Sequence, residues 1–164
     1  MKKLLTILSV LVLLTACGQK DIMKGYKGLK GPDHQFVSED YKAVMKKIEN
    51  KEPGLYYFGF SDCPYCQDLV PVLNETLVEL DQKAIYIDVK NSSFQGISKA
   101  FQDFEATLPQ DKQSGGAFPY VMGIDKDGNV NTHKGTVQSH NLDTGLTEDE
   151  AKYIKLKIKQ LIGQ

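Results

Sequence analysis

The sequence predicts an α/β domain with a mixed central sheet of about four to five strands and helices on both faces. Two patterns predict this class. From residue 36 onward, short apolar runs alternate with segments of helical periodicity, and an Asp127-Gly128 turn joins the last two predicted strands. The length of 164 residues, with 41% apolar and 25% charged residues, is typical of one ordinary globular domain.

The first half of the domain reads as helix, strand and helix. A helix is predicted in SEDYKAVMKKIEN, with Ser38 as its N-cap and apolar residues along one face. The apolar run GLYYFGF at residues 54–60 is typical of a buried central strand. A helix is expected from Pro64, because proline suits the first helical turn, and Pro71 is expected to kink it.

The second half repeats the alternation. A strand is predicted in KAIYIDVK and one helix in SFQGISKAFQDFEATL. The segments FPYVMGI and VNTHKGTV flank the two-residue turn, so they are expected to be antiparallel neighbours. In the closing helix, Thr147 and Glu150 have the spacing of a capping box.

The N-terminus has the layout of a bacterial export signal. Lys2 and Lys3 precede an apolar run that extends from Leu4 to Leu14, which is shorter than the ~20 residues that a membrane-spanning helix needs. The stretch LTAC ending at Cys17 resembles the lipobox of bacterial lipoproteins, in which the cysteine sulfur receives a diacylglyceryl group. We therefore expect residues 1–16 to be a signal peptide and Cys17 to be the lipidation site. An ordinary signal peptide or a short anchor stays open as the alternative.

Residues 18–35 contain four glycines, a proline and four lysines, without a sustained apolar period. This composition predicts a lipid-anchored flexible tether over residues 17–35, followed by the folded domain over residues 36–164.

The candidate catalytic residues lie in the segment SDCPYCQD, residues 61–68. If Cys17 is lipidated, Cys63 and Cys66 are the remaining cysteines. A Cys-x-x-Cys pair between a strand and a helix places the first sulfur at the positive end of the helix, which favours the thiolate. Cys63 is therefore the predicted nucleophile, and Cys66 is placed to attack the mixed disulfide that Cys63 forms.

Two other interpretations of the cysteine pair stay open. A structural disulfide is one, although a bridge that closes so small a loop removes little entropy from the unfolded chain. A metal site is the other, but His34, His133 and His140 lie far away and lack paired ligand spacing. Neither a metal nor another cofactor is expected.

These residues resemble the thioredoxin fold over roughly residues 36–163. The resemblance rests on CPYC after a buried strand, on Pro71, on Asp88 at the end of the next strand, on the segment FPY at residues 118–120, and on the final hairpin and helix. It implies that Pro119 is a cis proline beside the sulfurs and that Phe118 is a substrate-side residue. Pro64 and Tyr65 form the active-site dipeptide.

The lipobox and the stretch YFGFSDCPYCQDLVPVLNE more narrowly resemble thioredoxin-like lipoproteins of Gram-positive bacteria, including bacteriocin transport accessory proteins. The chain departs from thioredoxins in three places. Tyr57 stands where they carry a buried aspartate. Asp62 stands where they carry a tryptophan, and its charge opposes the helix dipole. The segment 91–117 is longer than their matching helix and loop.

The resemblance implies an extracytoplasmic, membrane-anchored thiol-disulfide oxidoreductase that acts on thiols and disulfides of exported or cell-surface proteins. A membrane redox partner is expected to resupply it, and the protein is expected to be a monomer. The alternative is a non-enzymatic accessory binding lipoprotein for peptide or bacteriocin export, with an inert Cys63–Cys66 bridge. Because 20 basic residues nearly balance 21 acidic ones, no nucleic-acid partner is expected.

Overall fold

The computed structural model describes residues 21–29 and 31–163. Its strands are β1 (Phe36–Val37), β2 (Gly54–Gly59), β3 (Ala84–Asp88), β4 (Tyr120–Ile124) and β5 (Val130–Lys134). Its helices are α1 (Tyr41–Glu49), α2 (Pro64–Glu79), α3 (Ser92–Gln95), α4 (Ser98–Glu105) and α5 (Glu148–Gln160), and a 3₁₀ turn spans Gln110–Lys112.

The strands form one mixed sheet in the order β1-β3-β2-β4-β5. Strands β1 and β2 both pair in parallel with β3, whereas β4 runs antiparallel to β2 and to β5. Helices cover both faces, and the short helices α3 and α4 lie in the insertion before β4. The predicted α/β class and the thioredoxin fold are confirmed.

Two apolar layers enclose the sheet. Alternate residues of β2 enter different layers: Leu55 and Tyr57 pack with α2 and α5, while Tyr56 and Phe58 pack with α1 and α4. A strand covered on both faces has no solvent side, which explains why β2 reads as a continuous apolar run. The central strand is therefore rigidly held just before the cysteine pair.

The predicted tether is packed, not flexible, over the part that the structure describes. Met23 and Tyr26 are buried in the layer formed by α2 and α5. The side chain of Gln67 bonds to the backbone of both Gly25 and Lys27, and Gly28 lies against the ring of Pro71. The packed domain therefore begins before residue 36. Residues 17–20 lie outside the described residues.

Three local predictions need correction. Asp40, not Ser38, caps α1, because its carboxylate accepts a hydrogen bond from the Ala43 N–H at 3.0 Å. The single helix predicted over residues 93–108 is two helices, interrupted at Gly96, a residue of low helix propensity. The β4–β5 pair is antiparallel as predicted, but Asp125 pairs with Asn129, so the loop has three residues, not two.

The predicted capping box of α5 is confirmed at Thr147 and Glu150. Pro71 lies inside α2, which continues to Glu79. Over residues 21–29 and 31–163, no helix combines the length and apolar character needed to cross a membrane.

Candidate active site

Cys63 and Cys66 lie where the central strand β2 gives way to helix α2. Cys63 is the N-cap of that helix, and its sulfur accepts a hydrogen bond from the backbone N–H of Cys66 at 3.2 Å. Both cysteines are free thiols. Cys63 is 6% exposed and Cys66 is 0% exposed, so only the first sulfur reaches the surface.

The surroundings of the two sulfurs differ in what they favour. At the helix N-terminus the Cys66 N–H points at the Cys63 sulfur, which stabilises negative charge on that sulfur. Burial, helped by the neighbouring Cys63 thiol, raises the pKa of the Cys66 thiol to about 12. Hydrogen bonds from the backbone of Phe60 and from the hydroxyl of Tyr57 act in the opposite direction. Cys66 therefore stays protonated until it reacts.

The segment Phe118-Pro119 lies directly beside Cys63. The Phe118–Pro119 peptide bond is cis, as the resemblance implied, and the Cys63 sulfur lies 3.8 Å from the carbonyl oxygen of Phe118. The Phe118 ring packs edge-on against Phe60, with ring centroids 6.5 Å apart. The carbonyl of Pro119 accepts a hydrogen bond from Gly135 at 2.8 Å, which ties the cis proline to the end of β5.

A buried carboxylate holds the loop that leads to Phe118. Glu105, the last residue of α4, accepts hydrogen bonds from the backbone N–H and the hydroxyl of Ser114 at 2.5 and 2.9 Å. Both residues are buried. Gly115 and Gly116 follow in the left-handed region, with φ of 59° and 79°. Glu105 of the insertion therefore holds in place the loop that leads to Pro119.

The active-site dipeptide is partly solvent-facing. Pro64 begins α2, and Tyr65 is 42% exposed. The Tyr65 ring packs edge-on against His140, with centroids 5.4 Å apart. His140 bonds to Asp68 of α2 at 2.9 Å through Nε2 and to Thr136 at 2.8 Å through Nδ1. The His140 side chain is fully buried.

Asp62 has less influence on Cys63 than its position in the sequence suggests. Its side chain is 80% exposed and lies 3.7 Å from the Lys90 ammonium group. Solvent and the lysine both screen its charge, so little of it opposes the helix dipole at Cys63.

Two open grooves are lined by residues next to the cysteine pair in the chain. One, of about 410 Å³, is lined by Tyr65, Phe118, Val137 and His140, among others. The other, of about 870 Å³, is lined by Pro64, Leu142 and residues of the 25–28 segment, among others. Both grooves therefore reach residues that neighbour the cysteine pair in the chain.

Cys17 lies outside the described residues. Among the residues that the structure describes, no three side chains of His, Cys, Asp or Glu are grouped as a metal site would require.

The protein therefore has a thioredoxin fold, with a Cys-x-x-Cys pair at the N-terminus of α2 and a cis proline at residue 119. No protein-family model and no curated protein matches the chain.

Solved structures that are similar to it include the following two. Thioredoxin O2 from Arabidopsis thaliana, in the oxidized state, is 17% identical over 78% of this chain and 95% of that one, with a TM-score of 0.49. A disulphide isomerase from Xylella fastidiosa Temecula1 is 23% identical over 74% of this chain and 92% of that one, with a TM-score of 0.43.

Proposed function

We propose that this protein is a thiol-disulfide oxidoreductase whose Cys63–Cys66 pair exchanges disulfides with exported or cell-surface proteins. The observation that carries the proposal is the unequal setting of the two cysteines. Cys63 is the slightly exposed N-cap of α2 beside the Phe118 carbonyl, while Cys66 is fully buried one turn further on. A structural bridge does not require this asymmetry, whereas a nucleophile and a resolving thiol do.

The first step is attack by the Cys63 thiolate on one sulfur of a substrate disulfide. A bond forms between Cys63 and that sulfur, the substrate's S–S bond breaks, and the other substrate sulfur leaves as a thiolate that takes up a proton. The helix N-terminus stabilises the attacking thiolate.

In the second step, Cys66 loses its proton and attacks the sulfur of Cys63. The Cys63–Cys66 disulfide forms, the mixed disulfide breaks, and the leaving substrate thiolate takes up one proton. Two electrons have then passed from the cysteine pair to the substrate. The same steps in reverse oxidise a substrate dithiol.

Phe118 and Pro119 position the substrate chain in this proposal. The Phe118 carbonyl already lies at hydrogen-bonding range of the Cys63 sulfur, and the backbone there is fixed from both sides. Gly135 bonds to Pro119, and Glu105 holds Ser114 of the preceding loop. An extended substrate segment laid along this backbone would have its sulfur close to Cys63.

We also propose that the protein works outside the cytoplasm, held on the membrane by lipid on Cys17. The support is the lipobox-like stretch LTAC after a short apolar run. A membrane redox partner would then restore the cysteine pair after each cycle, and the protein would act as a monomer.

Reduction of insulin by dithiothreitol, with and without catalytic amounts of the protein, tests the activity. Wild type should accelerate the reaction and Cys63→Ser should not, while Glu49→Ala serves as a control at an exposed site away from the cysteines. Acceleration by wild type and Cys63→Ser alike, or by neither, would overturn the proposal. The latter result would favour an accessory binding protein with an inert bridge.

A further inference from the structure

Three tyrosine hydroxyls meet in the apolar layer that also contains Cys63 and Cys66. The Tyr26 hydroxyl lies 3.3 Å from that of Tyr57 and donates to that of Tyr86 at 3.4 Å. All three side chains are buried, the rings of Tyr57 and Tyr86 are stacked, and Tyr26 meets both edge-on. Tyr57 comes from β2 and Tyr86 from β3, while Tyr26 comes from the segment that precedes the sheet.

The position of the Tyr57 hydroxyl is set by close packing. A Cβ atom on Gly59 would lie 2.4 Å from the hydroxyl oxygen, so only glycine at residue 59 leaves room for it. Cys66 and Tyr57 are both fully buried in the same apolar layer. There the Tyr57 hydroxyl lowers the pKa of the Cys66 thiol, against the larger effect of burial, which raises it.

We propose that the Tyr57 hydroxyl is a catalytic group of the resolving step, donating a hydrogen bond to the Cys66 sulfur as it loses its proton, and that Tyr26 positions it. The N-terminal segment then contributes a residue to the redox site. This inference rests on the proposed oxidoreductase function and concerns only its second step.

The chemistry of a hydroxyl suits both states of Cys66, because a hydroxyl accepts and donates hydrogen bonds. While Cys66 is a thiol, the Tyr57 hydrogen can point to the oxygen of Tyr26, whose own hydrogen points to Tyr86. When Cys66 becomes a thiolate, rotation about the C–O bond of Tyr57 turns that hydrogen toward the sulfur.

Tyr57 remains a donor throughout the cycle. Burial raises the pKa of its hydroxyl well above the usual value, so it keeps its proton at neutral pH. It therefore does not act as the base. The Cys66 proton is balanced by the one that the leaving substrate thiolate takes up.

The test is a single-turnover reaction of the reduced protein with substoichiometric dithiobisnitrobenzoate, whose thiolate product is coloured. Attack by Cys63 releases the first thiolate, and resolution by Cys66 releases the second, so the two steps appear as separate phases. In Tyr57→Phe the first phase should keep its rate and the second should slow about tenfold to a hundredfold, the range for a lost hydrogen bond to a charged group. Tyr26→Phe should slow the same phase by a smaller factor.

Tyr56→Phe is the matched control. Tyr56 is also a buried tyrosine of β2, but it packs in the opposite layer, and its hydroxyl donates to the Glu52 carbonyl at 3.0 Å. Its loss should leave both phases unchanged. Equal rates in Tyr57→Phe and Tyr56→Phe, or equal slowing of both phases in Tyr57→Phe, would overturn the role of Tyr57.

An unchanged second phase in Tyr26→Phe would overturn the positioning role of Tyr26. Release of only one coloured thiolate per molecule of dithiobisnitrobenzoate in wild type would instead contradict the proposed oxidoreductase function itself.

Discussion

Replacing Glu105 by alanine should destabilise the protein and displace the loop that carries Phe118. The carboxylate accepts hydrogen bonds from both the N–H and the hydroxyl of Ser114, which is 2% exposed. In Glu105→Ala both donors lose their acceptor inside the protein. A buried donor without a partner costs roughly 1–3 kcal/mol, so the expected loss is about 2–6 kcal/mol in the free energy of unfolding.

Urea unfolding at neutral pH measures this loss directly. Glu49→Ala is a suitable control, because Glu49 also ends a helix, α1, but is exposed. Substitutions at such sites usually change stability by no more than about 0.5 kcal/mol. Insulin reduction by the folded fraction of Glu105→Ala should also fall, since Phe118 loses the support of its loop.

The proposed anchoring role of Glu105 would be refuted if Glu105→Ala and Glu49→Ala unfolded at the same urea concentration. It would equally be refuted if Glu105→Ala were strongly destabilised and yet turned over insulin at the wild-type rate per folded molecule. The first result would mean that Ser114 finds other partners, and the second that its loop does not position Phe118.

Two further predictions concern the helix pair and the membrane. Ion pairs with Lys159 and Lys155 of α5 hold the pKa of Glu79 in α2 at about 2. The stabilisation from this contact is therefore present above the usual carboxyl pKa of ~4.3 and is lost as the pH falls toward 2. Urea unfolding at pH 7 and pH 3 should show a smaller difference for Glu79→Gln than for wild type, by less than about 1 kcal/mol because the site is exposed; an identical difference would contradict it. Cys17→Ala should release the protein from membranes in cell fractionation, and unchanged retention with the signal removed would contradict the lipoprotein proposal.

The sequence predicts the parts of the site that are local. A buried strand, the cysteine pair and an amphipathic helix follow one another directly, so strand β2, Cys63 and α2 could all be placed from apolar periodicity and from Pro64. The cis bond at Pro119 is different. It lies more than 50 residues from Cys63, and only the family resemblance brought the two together.

Other parts of the site lack a local signal. Asp68 and His140 are 72 residues apart, and neither has a neighbour that indicates a shared contact. The glycines and lysines around Tyr26 predict a flexible tether, although Tyr26 itself packs into the core. A signal was present in Ile22, Met23, Tyr26 and Leu29, four apolar residues in an otherwise polar segment, all of which pack into or against the core. Flexible linkers seldom carry such a set.

The predicted helix boundaries were wrong at the start of α1 and between α3 and α4. Ser38 and Asp40 are both good N-caps, and the structure uses the one nearer to the first buried residue of α1. Gly96 interrupts a segment whose apolar spacing is helical on both sides, because glycine in a helix interior is unfavourable by about 1 kcal/mol relative to alanine.

The central claim is that Cys63 attacks and Cys66 resolves, and trapping of mixed disulfides in the producing cell tests it most directly. Without Cys66, the mixed disulfide on Cys63 has no intramolecular route of release. Cys66→Ala should therefore run on non-reducing gels as adducts of higher mass that disappear on reduction, whereas Cys63→Ala should give few or none. Equal trapping by both variants, or trapping by neither, would contradict the account.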